Sequence, residues 1–327
     1  MPRARLVDVA AAAGVSTATA SLVLRGQPGP SQASREAVEA AARALAYRPA
    51  RSASVLASRR SRHLGVLIAI SSTFHAEMVE VLDAAAADAD LDLVIATRTP
   101  RRTEREALES LLDNRCDAVV LVGPSLGDAA IEAVAQEVPT VVIGRAGTAH
   151  GTGVLASDVA GMEALVEHLT GLGHTEIAYV DGPRDVIATA RRDGFRQAMK
   201  RRKLAVVVVP GGVDETAGLN AVPSILALEP DPSAVVCFND AAAVGVRTGL
   251  VRHGIPIPGE MSVTGYDDSP LARLATIELT TVSQDPEGLA AATIQVLSQR
   301  IAGGRRKPDV VVTPRLVVRG SPAQPRQ

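Results

Sequence analysis

The amino-acid sequence predicts an N-terminal all-α helix-turn-helix unit followed by an α/β core of two lobes, each built on a parallel, doubly wound sheet. Three observations lead to this prediction. Two short apolar helices surround a glycine near the N-terminus, apolar runs alternate with amphipathic stretches after residue 63, and the net charge changes sign between the two parts. Strand–helix alternation is typical of parallel sheets covered by helices on both faces.

The first two predicted helices lie on either side of Gly14. One spans Leu6–Ala13, and the other begins after Ser16, a residue type favoured at helix N-caps. Each helix has one apolar face, so the two can pack on each other across a short turn. In a helix-turn-helix, the first residues of the second helix lie nearest the bases of the DNA major groove. The pattern therefore predicts a DNA-binding unit.

A third helix is predicted over Ala33–Ala46, with Ser31 as its N-cap, because the residues before Pro49 leave the helical region. The next stretch is small, polar and basic, and a helix of one or two turns there would need a partner to form. We therefore expect three parts: a headpiece of residues 1–48, a hinge of residues 49–62, and a core of residues 63–327.

The charge distribution supports this division. Residues 1–62 contain ten arginines and three acidic residues and carry a net charge of +7, whereas the remainder of the chain carries −9. A basic segment that coincides with a helix-turn-helix pattern indicates contact with a polyanion. A basic face without a partner is the alternative interpretation.

The core alternates between apolar runs and amphipathic helical stretches. About eight such units are too many for one small sheet, so we expect two lobes that divide near Val154–Asp158, with a ligand cleft between them at the carboxyl ends of the strands. The glycine-rich stretch Gly144–Gly153 is interpreted as a loop. The predicted strands are Leu64–Ile70, Leu91–Ala96, Ala118–Val122, Thr140–Ile143, Ile177–Val180, Val206–Val209, Ala234–Phe238 and Ser262–Tyr266, and the predicted helices include Ala76–Ala89, Thr103–Asn114, Met162–Leu172 and Asp214–Leu228.

Several classes of protein are disfavoured by composition and motifs. Cys116 and Cys237 lack metal-ligand spacing and are too few for a disulfide framework, which favours free thiols in a cytoplasmic protein. The N-terminus resembles no signal peptide, and no apolar run is long enough to span a membrane. We expect no metal and no cofactor. An enzyme is the weaker alternative, since no nucleophile–base pair is evident.

A set of short motifs occurs in a specific order. They are Val7-Asp8-Val9-Ala10, Ala13–Thr19, Val23–Gly26, Ala46–Pro49, His168-Leu169, Asp193-Gly194-Phe195, Phe238-Asn239-Asp240, Ser262–Asp268 and Leu279–Val282. In this order and spacing, from Arg5 to Arg319, the sequence resembles the lactose-repressor/galactose-repressor (LacI/GalR) family of bacterial transcription factors. The resemblance implies a headpiece, a hinge helix, and a core like that of periplasmic sugar-binding proteins.

The resemblance also implies which headpiece residues contact DNA. Thr17 and Ala18 occupy base-reading positions, and Ser16 and Thr19 occupy phosphate-contacting ones. Leu22 stands where the family usually has an arginine that reads guanine, so it either touches a thymine methyl group or points away. Further DNA contacts are expected from Arg25, Ser31, Arg35 and Tyr47, although packing under the third helix is an equal alternative for Tyr47.

In the hinge, Leu56 matches the leucine that the family inserts into the minor groove at the operator centre. Apolar wedges of this kind kink DNA most easily at flexible steps. Neighbouring Arg51, Arg59 and Arg60 are placed to reach phosphates. A disordered linker is the alternative interpretation.

In the core, the resemblance implies an effector site that suits a polyhydroxylated ligand, because carboxylate, guanidinium and amide groups satisfy hydroxyls that both donate and accept. Asp240 and Asp268 are interpreted as caps or solvated turn residues. Val213 and His75 stand where the family often has aromatic residues, and the chain has no Trp. The resemblance implies a sugar or sugar derivative as the ligand. Because sugar rings often stack on aromatic faces, the scarcity of aromatic residues leaves a purine, a sugar acid or a phosphorylated sugar as alternatives. The implied effector residues are Phe74, Asp158, Arg191, Asn239, Asp267 and Gln284.

Together these observations predict a homodimeric, ligand-responsive transcriptional regulator, a repressor by the family's usual mode, that binds a pseudo-palindromic double-stranded DNA operator. The ligand either releases the operator or strengthens its binding, since both modes occur in the family. No leucine heptad follows Gly320, so no tetramer is expected. The alternative is a cytoplasmic small-molecule-binding protein with a degenerate headpiece. The expected lobes are residues 63–157 with 287–314, and residues 158–286 with 315–320.

Overall fold

The computed structural model describes residues 4–47 and 61–325, which belong to two compact units that divide after Ser61. The first unit consists of three helices: α1 (Leu6–Ala12), α2 (Thr17–Leu24) and α3 (Gln32–Ala44). Their shared core is made of small apolar side chains, which let short helices approach closely: Val9, Ala10, Ala20, Val23, Val38, Ala41 and Ala42.

The turn between α1 and α2 depends on two residues. Gly14 has a φ of 66°, in the left-handed region that favours glycine. Ser16 is the N-cap of α2, and its Oγ accepts a hydrogen bond from the Thr19 backbone N–H at 3.0 Å. The two helices are bent by 103° relative to each other, within the roughly 90–120° typical of a helix-turn-helix. The predicted helix-turn-helix is confirmed.

The first lobe of the second unit is a six-stranded parallel sheet. Its strands are β1 (His63–Ala69), β2 (Asp92–Arg98), β3 (Ala118–Val122), β4 (Thr140–Ile143), β5 (Thr152–Ala156) and β11 (Val310–Val312). They lie in the order β11-β5-β4-β3-β1-β2. Helices α4 (Thr73–Asp88) and α11 (Pro286–Ile301) pack on one face, and α5 (Glu104–Asp113) and α6 (Asp128–Glu137) pack on the other.

The second lobe repeats this arrangement on a four-stranded sheet. Its strands are β6 (Ile177–Val180), β7 (Val207–Val209), β8 (Ala234–Cys237) and β9 (Ser262–Thr264), all parallel, in the order β7-β6-β8-β9. Helices α7 (Asp158–Gly171) and α8 (Val186–Arg201) cover one face, and α9 (Glu215–Leu226) and α10 (Asp240–Arg252) cover the other. The predicted pair of doubly wound sheets is confirmed.

The chain passes between the lobes three times. It leaves the first lobe after β5 and enters α7, returns from β10 (Thr281–Ser283) to α11, and crosses again from β11 to β12 (Arg315–Val317). Strands β10 and β12 pair antiparallel and pack against the core of the second lobe through Val282 and Leu316. The two lobes are therefore joined by three neighbouring segments.

The predicted strands agree with the structure to within two residues at each end, but some other boundaries differ. Strand β5 begins at Thr152, inside the stretch Gly144–Gly153 that was interpreted as a loop. Helix α3 ends at Ala44 because Ala46 has a φ of 47°, outside the right-handed helical region. Helix α7 begins four residues before the predicted Met162 because Ser157 caps it, accepting from the Ala160 N–H at 3.2 Å.

Within residues 4–47 and 61–325, no single helix is long and apolar enough to cross a membrane; α1 and α2 meet that criterion only when counted together across their bend. The same residues contain no group of three or more His, Cys, Asp or Glu side chains placed to hold a metal ion. Cys116 and Cys237 are free thiols, as the sequence predicts.

Candidate functional site

A cavity of about 350 Å³ lies between the two lobes at the carboxyl ends of their strands. Residues that follow β1, β3 and β4 line it on one side, and residues that follow β6 and β8 line it on the other. Side chains at this edge of a parallel sheet point away from the packed core, which is why ligands bind there. The cleft expected from the sequence is present.

Arg191, in α8, is the most deeply buried charge in the cavity wall, with an exposure of 3%. Its Nε donates to Asp158 Oδ1 at 3.1 Å, and one terminal nitrogen donates to the Phe238 carbonyl at 2.6 Å and to Asp267 Oδ1 at 3.5 Å. The guanidinium also lies 3.8 Å from the Tyr266 ring centroid. Burial disfavours the charged guanidinium, but the two carboxylates outweigh burial and hold the pKa of Arg191 above its usual value.

Asp267 lies between Arg191 and Gln284. Its Oδ1 accepts from Gln284 Nε2 at 2.7 Å, and its backbone adopts a φ of 111°, which turns the side chain away from the strand direction. Burial raises the pKa of Asp267 to about 6, against the opposing effect of the Arg191 charge. The arrangement offers a ligand one fixed carboxylate, one fixed amide and the edge of one guanidinium.

The structure brings five of the six predicted effector residues to the cavity: Phe74, Arg191, Asn239, Asp267 and Gln284. Asp158 does not line it and lies behind Arg191 as its ion-pair partner. Asn239 has a local role as well, because its Oδ1 caps α10 by accepting from the Ala242 N–H, and its Nδ2 donates to the Val213 carbonyl, both at 2.9 Å. Asn239 thereby fixes Val213, which also lines the cavity.

The interpretation of Asp240 and Asp268 as caps or solvated turn residues is wrong, because both are buried and the N-cap of α10 is Asn239. Asp240 is 1% exposed, and it accepts hydrogen bonds from Thr281 Oγ1 at 2.6 Å and from the Ser269 N–H at 2.7 Å. Asp268 is 6% exposed and forms an ion pair with Arg319 at 2.6 Å. Both residues follow strands of the second lobe, and their partners Ser269, Thr281 and Arg319 all come from the part of the chain after β9.

Several cavity residues were missed by sequence reasoning. Arg98 is the last residue of β2 and Ser125 follows β3 in the first lobe, whereas Arg184 and Asp185 follow β6 in the second. Polar residues that come directly after an apolar strand are the pattern that identifies them, since such positions lie at the ligand-binding edge of the sheet. His75, noted in the sequence only as a departure from an aromatic pattern, also lines the cavity.

In the headpiece, the start of α2 is open to solvent. Thr17 and Ala18 are exposed, and Leu22, one turn further along, is half-buried. Ser16 and Thr19 contact each other through their hydroxyls at 2.9 Å while Ser16 caps the helix. The structure thus presents the two predicted base-reading positions together at one helix end.

The other predicted DNA contacts have intramolecular roles in the headpiece. Arg25 donates through Nε to the Ser21 carbonyl at 3.1 Å, and Arg35 donates to the Gln27 carbonyl at 2.7 Å. Ser31 caps α3, with its Oγ accepting from Ser34 N–H at 3.3 Å. Tyr47 packs against the headpiece core. Leu56, with the rest of the hinge up to residue 60, lies outside the described residues.

Comparison with known families and proteins agrees with both units. The family model described as bacterial regulatory proteins, lacI family, matches residues 5–50, and a periplasmic binding protein-like domain matches residues 166–322. The chain is 32% identical to the HTH-type transcriptional regulator GalR of Escherichia coli, over 98% of this chain and 96% of the relative. It is 33% identical to the ribose operon repressor of the same organism, over 97% of this chain and 99% of the relative.

Solved structures show the same similarity. A LacI transcriptional regulator from a Rhodococcus species is 38% identical, with a TM-score of 0.78 over 80% of this chain and 98% of its own. The lac repressor dimer bound to operator and the anti-inducer ONPF is 27% identical, with a TM-score of 0.85 over 98% of this chain and all of its own. The chain therefore belongs to the lacI family of bacterial regulatory proteins and is a ligand-modulated, DNA-binding transcriptional regulator.

Proposed function

We propose that the protein is a repressor that binds a pseudo-palindromic operator as a homodimer, and that a small polyhydroxylated molecule in the interlobe cavity changes its affinity for that operator. The observation that carries the proposal is a cavity to which both lobes contribute polar side chains, in a chain whose headpiece exposes the start of its second helix. These are the two sites that a ligand-responsive regulator needs.

The DNA side of the proposal rests on the exposed residues Thr17 and Ala18, with Ser16 and Thr19 for phosphates. Leu22 is a departure, because leucine offers no bidentate donors to guanine. We propose that it contacts a thymine methyl group, so the half-site differs there from those read by an arginine. In the lac repressor structure, the protein is a dimer on its operator, and we propose the same assembly here, with Leu56 as the minor-groove wedge.

The ligand side rests on Asp267, Arg191 and Gln284, whose hydrogen bonds to one another fix their orientation before a ligand arrives. Phe74 supplies the apolar surface on the opposite wall. We assign Asp158 a positioning role through Arg191 rather than a ligand contact. A structure of the CelR regulator bound to cellobiose, 28% identical with a TM-score of 0.72, supports a sugar-like effector.

Coupling between the sites follows from linkage. A ligand changes DNA affinity only if it prefers one lobe arrangement, and the coupling is typically about 1–3 kcal/mol. A ligand that contacts both walls of this cavity has that preference, because its contacts to each wall depend on the separation of the lobes.

The experiment that tests the proposal is selection of bound duplexes from a random DNA pool by the full-length protein at near-physiological salt. We expect enrichment of a palindrome with a flexible central step. Thr17→Ala should change the base preference within each half-site, whereas Arg43→Ala, on the exposed side of α3, should leave it unchanged. Selection with and without candidate sugars then identifies the direction of the response.

Absence of any enriched sequence, both alone and with the sugars, would contradict the repressor assignment. It would favour a small-molecule-binding protein whose headpiece no longer reads bases. Enrichment of a single half-site without symmetry would instead contradict the dimeric mode of binding.

A further inference from the structure

The two walls of the cavity differ in charge. Every carboxylate that lines the cavity in the described residues belongs to the second lobe, whereas the first lobe contributes one charged side chain, the cation Arg98. The other polar side chains of the first-lobe wall are neutral: Ser71, Ser72, Thr73, His75 and Ser125. The first-lobe wall therefore presents one positive charge and no carboxylate to the cavity among the described residues.

Arg98 is the last residue of β2 and is half-buried. One of its terminal nitrogens donates to Ser125 Oγ at 3.2 Å, and Ser125 in turn is held by Glu104, which accepts from its hydroxyl and its backbone N–H. Glu104 thus fixes Ser125, and Ser125 fixes Arg98. Among the described residues, no carboxylate lies within 4.0 Å of the Arg98 guanidinium, and its remaining N–H donors have no protein acceptor.

His75 adds a donor of fixed direction to the same wall. Its Nδ1 accepts a hydrogen bond from the Ala69 backbone N–H at 2.9 Å, so a neutral ring carries its proton on Nε2. Burial, and then the nearby Arg98 charge, lower the pKa of His75 to about 4, which keeps the ring neutral at pH 7. A Cβ on Gly123 would lie 2.8 Å from His75 Nε2, so a glycine there leaves room for the ring.

A second unpaired cation faces the cavity from the other lobe. Arg184 is exposed, lines the cavity, and has no carboxylate within 4.0 Å among the residues that the structure describes. Its acidic neighbour Asp185 is engaged as the N-cap of α8, with Oδ1 accepting from the Ala188 N–H at 2.8 Å. Two guanidinium groups that face one cavity from opposite lobes offer charge-assisted donors to an anion bound between them.

We propose that the effector carries an anionic oxygen group, a phosphate monoester or a carboxylate, and that this group binds to Arg98 and His75 on the first-lobe wall. The hydroxylated body of the effector then lies on the Asp267 side of the second lobe, and Arg184 approaches the anion as the lobes close. The inference rests on the proposed function and names the chemical class of its ligand. Arginine recognises planar or tetrahedral oxyanions through two parallel N–H donors, and such bonds are about twice as strong as neutral ones.

The first test uses inorganic phosphate, which probes the anion site without a sugar body. Its dissociation constant for the full-length protein is measured by NMR titration or calorimetry at constant ionic strength. We expect Arg98→Gln to weaken phosphate binding about tenfold, the size of one lost charge-assisted contact. Arg105→Gln is the matched control, because Arg105 is exposed on α5, does not line the cavity, and removes the same charge.

The second test compares D-glucose, D-glucose 6-phosphate and D-glucuronate, and D-ribose with D-ribose 5-phosphate. We expect the preferred anionic member to bind at least about tenfold more tightly than its neutral parent. In Arg98→Gln this preference disappears, whereas Arg105→Gln retains it. A preference for the phosphate over the uronate identifies a sugar phosphate as the effector, and the reverse preference identifies a sugar acid.

Equal phosphate affinity in Arg98→Gln and Arg105→Gln would overturn the inference, as would a neutral sugar that binds as tightly as its anionic derivatives. Neither result affects the operator selection, which uses DNA as its readout. If phosphate binding does not depend on Arg98 but a palindrome is still selected, the inference about the anion is wrong and the assignment as a regulator stands. If phosphate binding depends on Arg98 but no DNA sequence is enriched, the repressor function is contradicted instead.

Discussion

At the scale of single residues, Asp240 and Asp267 place two buried carboxyl groups beside one cavity. Only Asp267 is close to a cation, Arg191, whereas Asp240 is held by a hydroxyl and a backbone N–H. Burial, and then the charge of Asp267, raise the pKa of Asp240 from 3.8 to about 8. A carboxyl group with such a pKa is protonated in the folded chain at pH 7, and its stability contribution depends on pH.

We predict that the difference in free energy of unfolding between the wild-type chain and Asp240→Asn falls as the pH rises from 6 to 8. The difference isolates Asp240 from His75, His168 and His174, whose pKa values burial lowers, so that their contribution to stability rises with pH. Between 3.8 and about 8, Asp240 binds more protons in the folded chain than in the unfolded chain, so the stabilising effect of its protonation is lost as the pH approaches the folded-state pKa. The slope is at most about 1.4 kcal/mol per pH unit. Urea unfolding over this range measures it.

Asp240→Asn is the matched variant, since an amide accepts from the Ser269 N–H as the carboxyl does and does not titrate. Its stability should lack the Asp240 contribution to the pH dependence between pH 6 and 8. A variant with the same pH dependence as the wild-type chain would show that Asp240 does not titrate in this range.

The family resemblance placed Arg191, Asp267 and Gln284 in the predicted cleft, and the structure has all three in the cavity wall. Each lies in or beside a motif with a fixed position relative to a strand. Sequence reasoning did not place Arg98 in the cleft. Arg98 begins the polar run Arg98-Thr99-Pro100-Arg101-Arg102, and that run has the composition of an exposed turn. Asp240 was misjudged for a related reason. Its burial depends on Thr281, 41 positions away in the chain, and local hydropathy contains no information about that contact.

At the scale of elements, helix α2 depends on Ser16 for both its stability and its expected contact with DNA. The Ser16 side chain accepts from Thr19 N–H at 3.0 Å and satisfies one of the free donors at the start of the helix. A phosphate contact from the same residue uses the hydroxyl as a donor. The two roles are therefore separable by substitution.

Ser16→Ala should destabilise the headpiece by about 1 kcal/mol, the usual effect of losing an N-cap. Ser16→Asp should retain the cap and the stability, but weaken DNA binding because its charge faces phosphates. Hydrogen exchange of the α2 amides in the full-length protein measures the first effect, and titration with the selected duplex measures the second. Equally fast exchange in the two variants would show that capping by residue 16 does not stabilise α2.

The element boundaries illustrate which local patterns are informative. Buried parallel strands are continuous apolar runs, so their positions follow from hydropathy alone. Helix starts were less accurate at Ser72 and Ser157, where a serine caps a helix whose first residue is polar. Strands β10 and β12 have three residues each, too few for any periodicity to be recognised.

At the scale of the whole second unit, which contains both lobes, an ion pair connects the first lobe to the second. Arg273, between β9 and β10, donates to Glu77 Oε1 in α4 at 2.8 Å. It also donates to the Asp268 carbonyl at 2.6 Å, and Asp268 forms an ion pair with Arg319. The contact fixes one separation of the lobes, and its loss favours other separations.

We predict a coupling of roughly 0.5–1 kcal/mol between Glu77→Gln and Arg273→Gln in a double-mutant cycle on unfolding free energy, because Arg273 is about half exposed. Raised salt should reduce it. The control cycle uses the ion pair between Asp193 and Arg196, whose side chains are 51% and 44% exposed on one helix and should couple less. Equal coupling in the two cycles would show that the interlobe contact contributes nothing beyond an ordinary surface pair.

The number of strand–helix units was enough to predict two lobes, but the path of the chain between them has a consequence for synthesis. The first lobe is complete only when α11 and β11 have joined it, and these include residues 286–301 and 310–312. Domains fold as they leave the ribosome, beginning at the N-terminus. The headpiece is therefore ready early, whereas the first sheet waits with an unpaired β5 edge until almost the entire chain has emerged. A nascent chain of this protein is thus able to form its DNA-reading unit well before it has any cavity with which to sense a ligand.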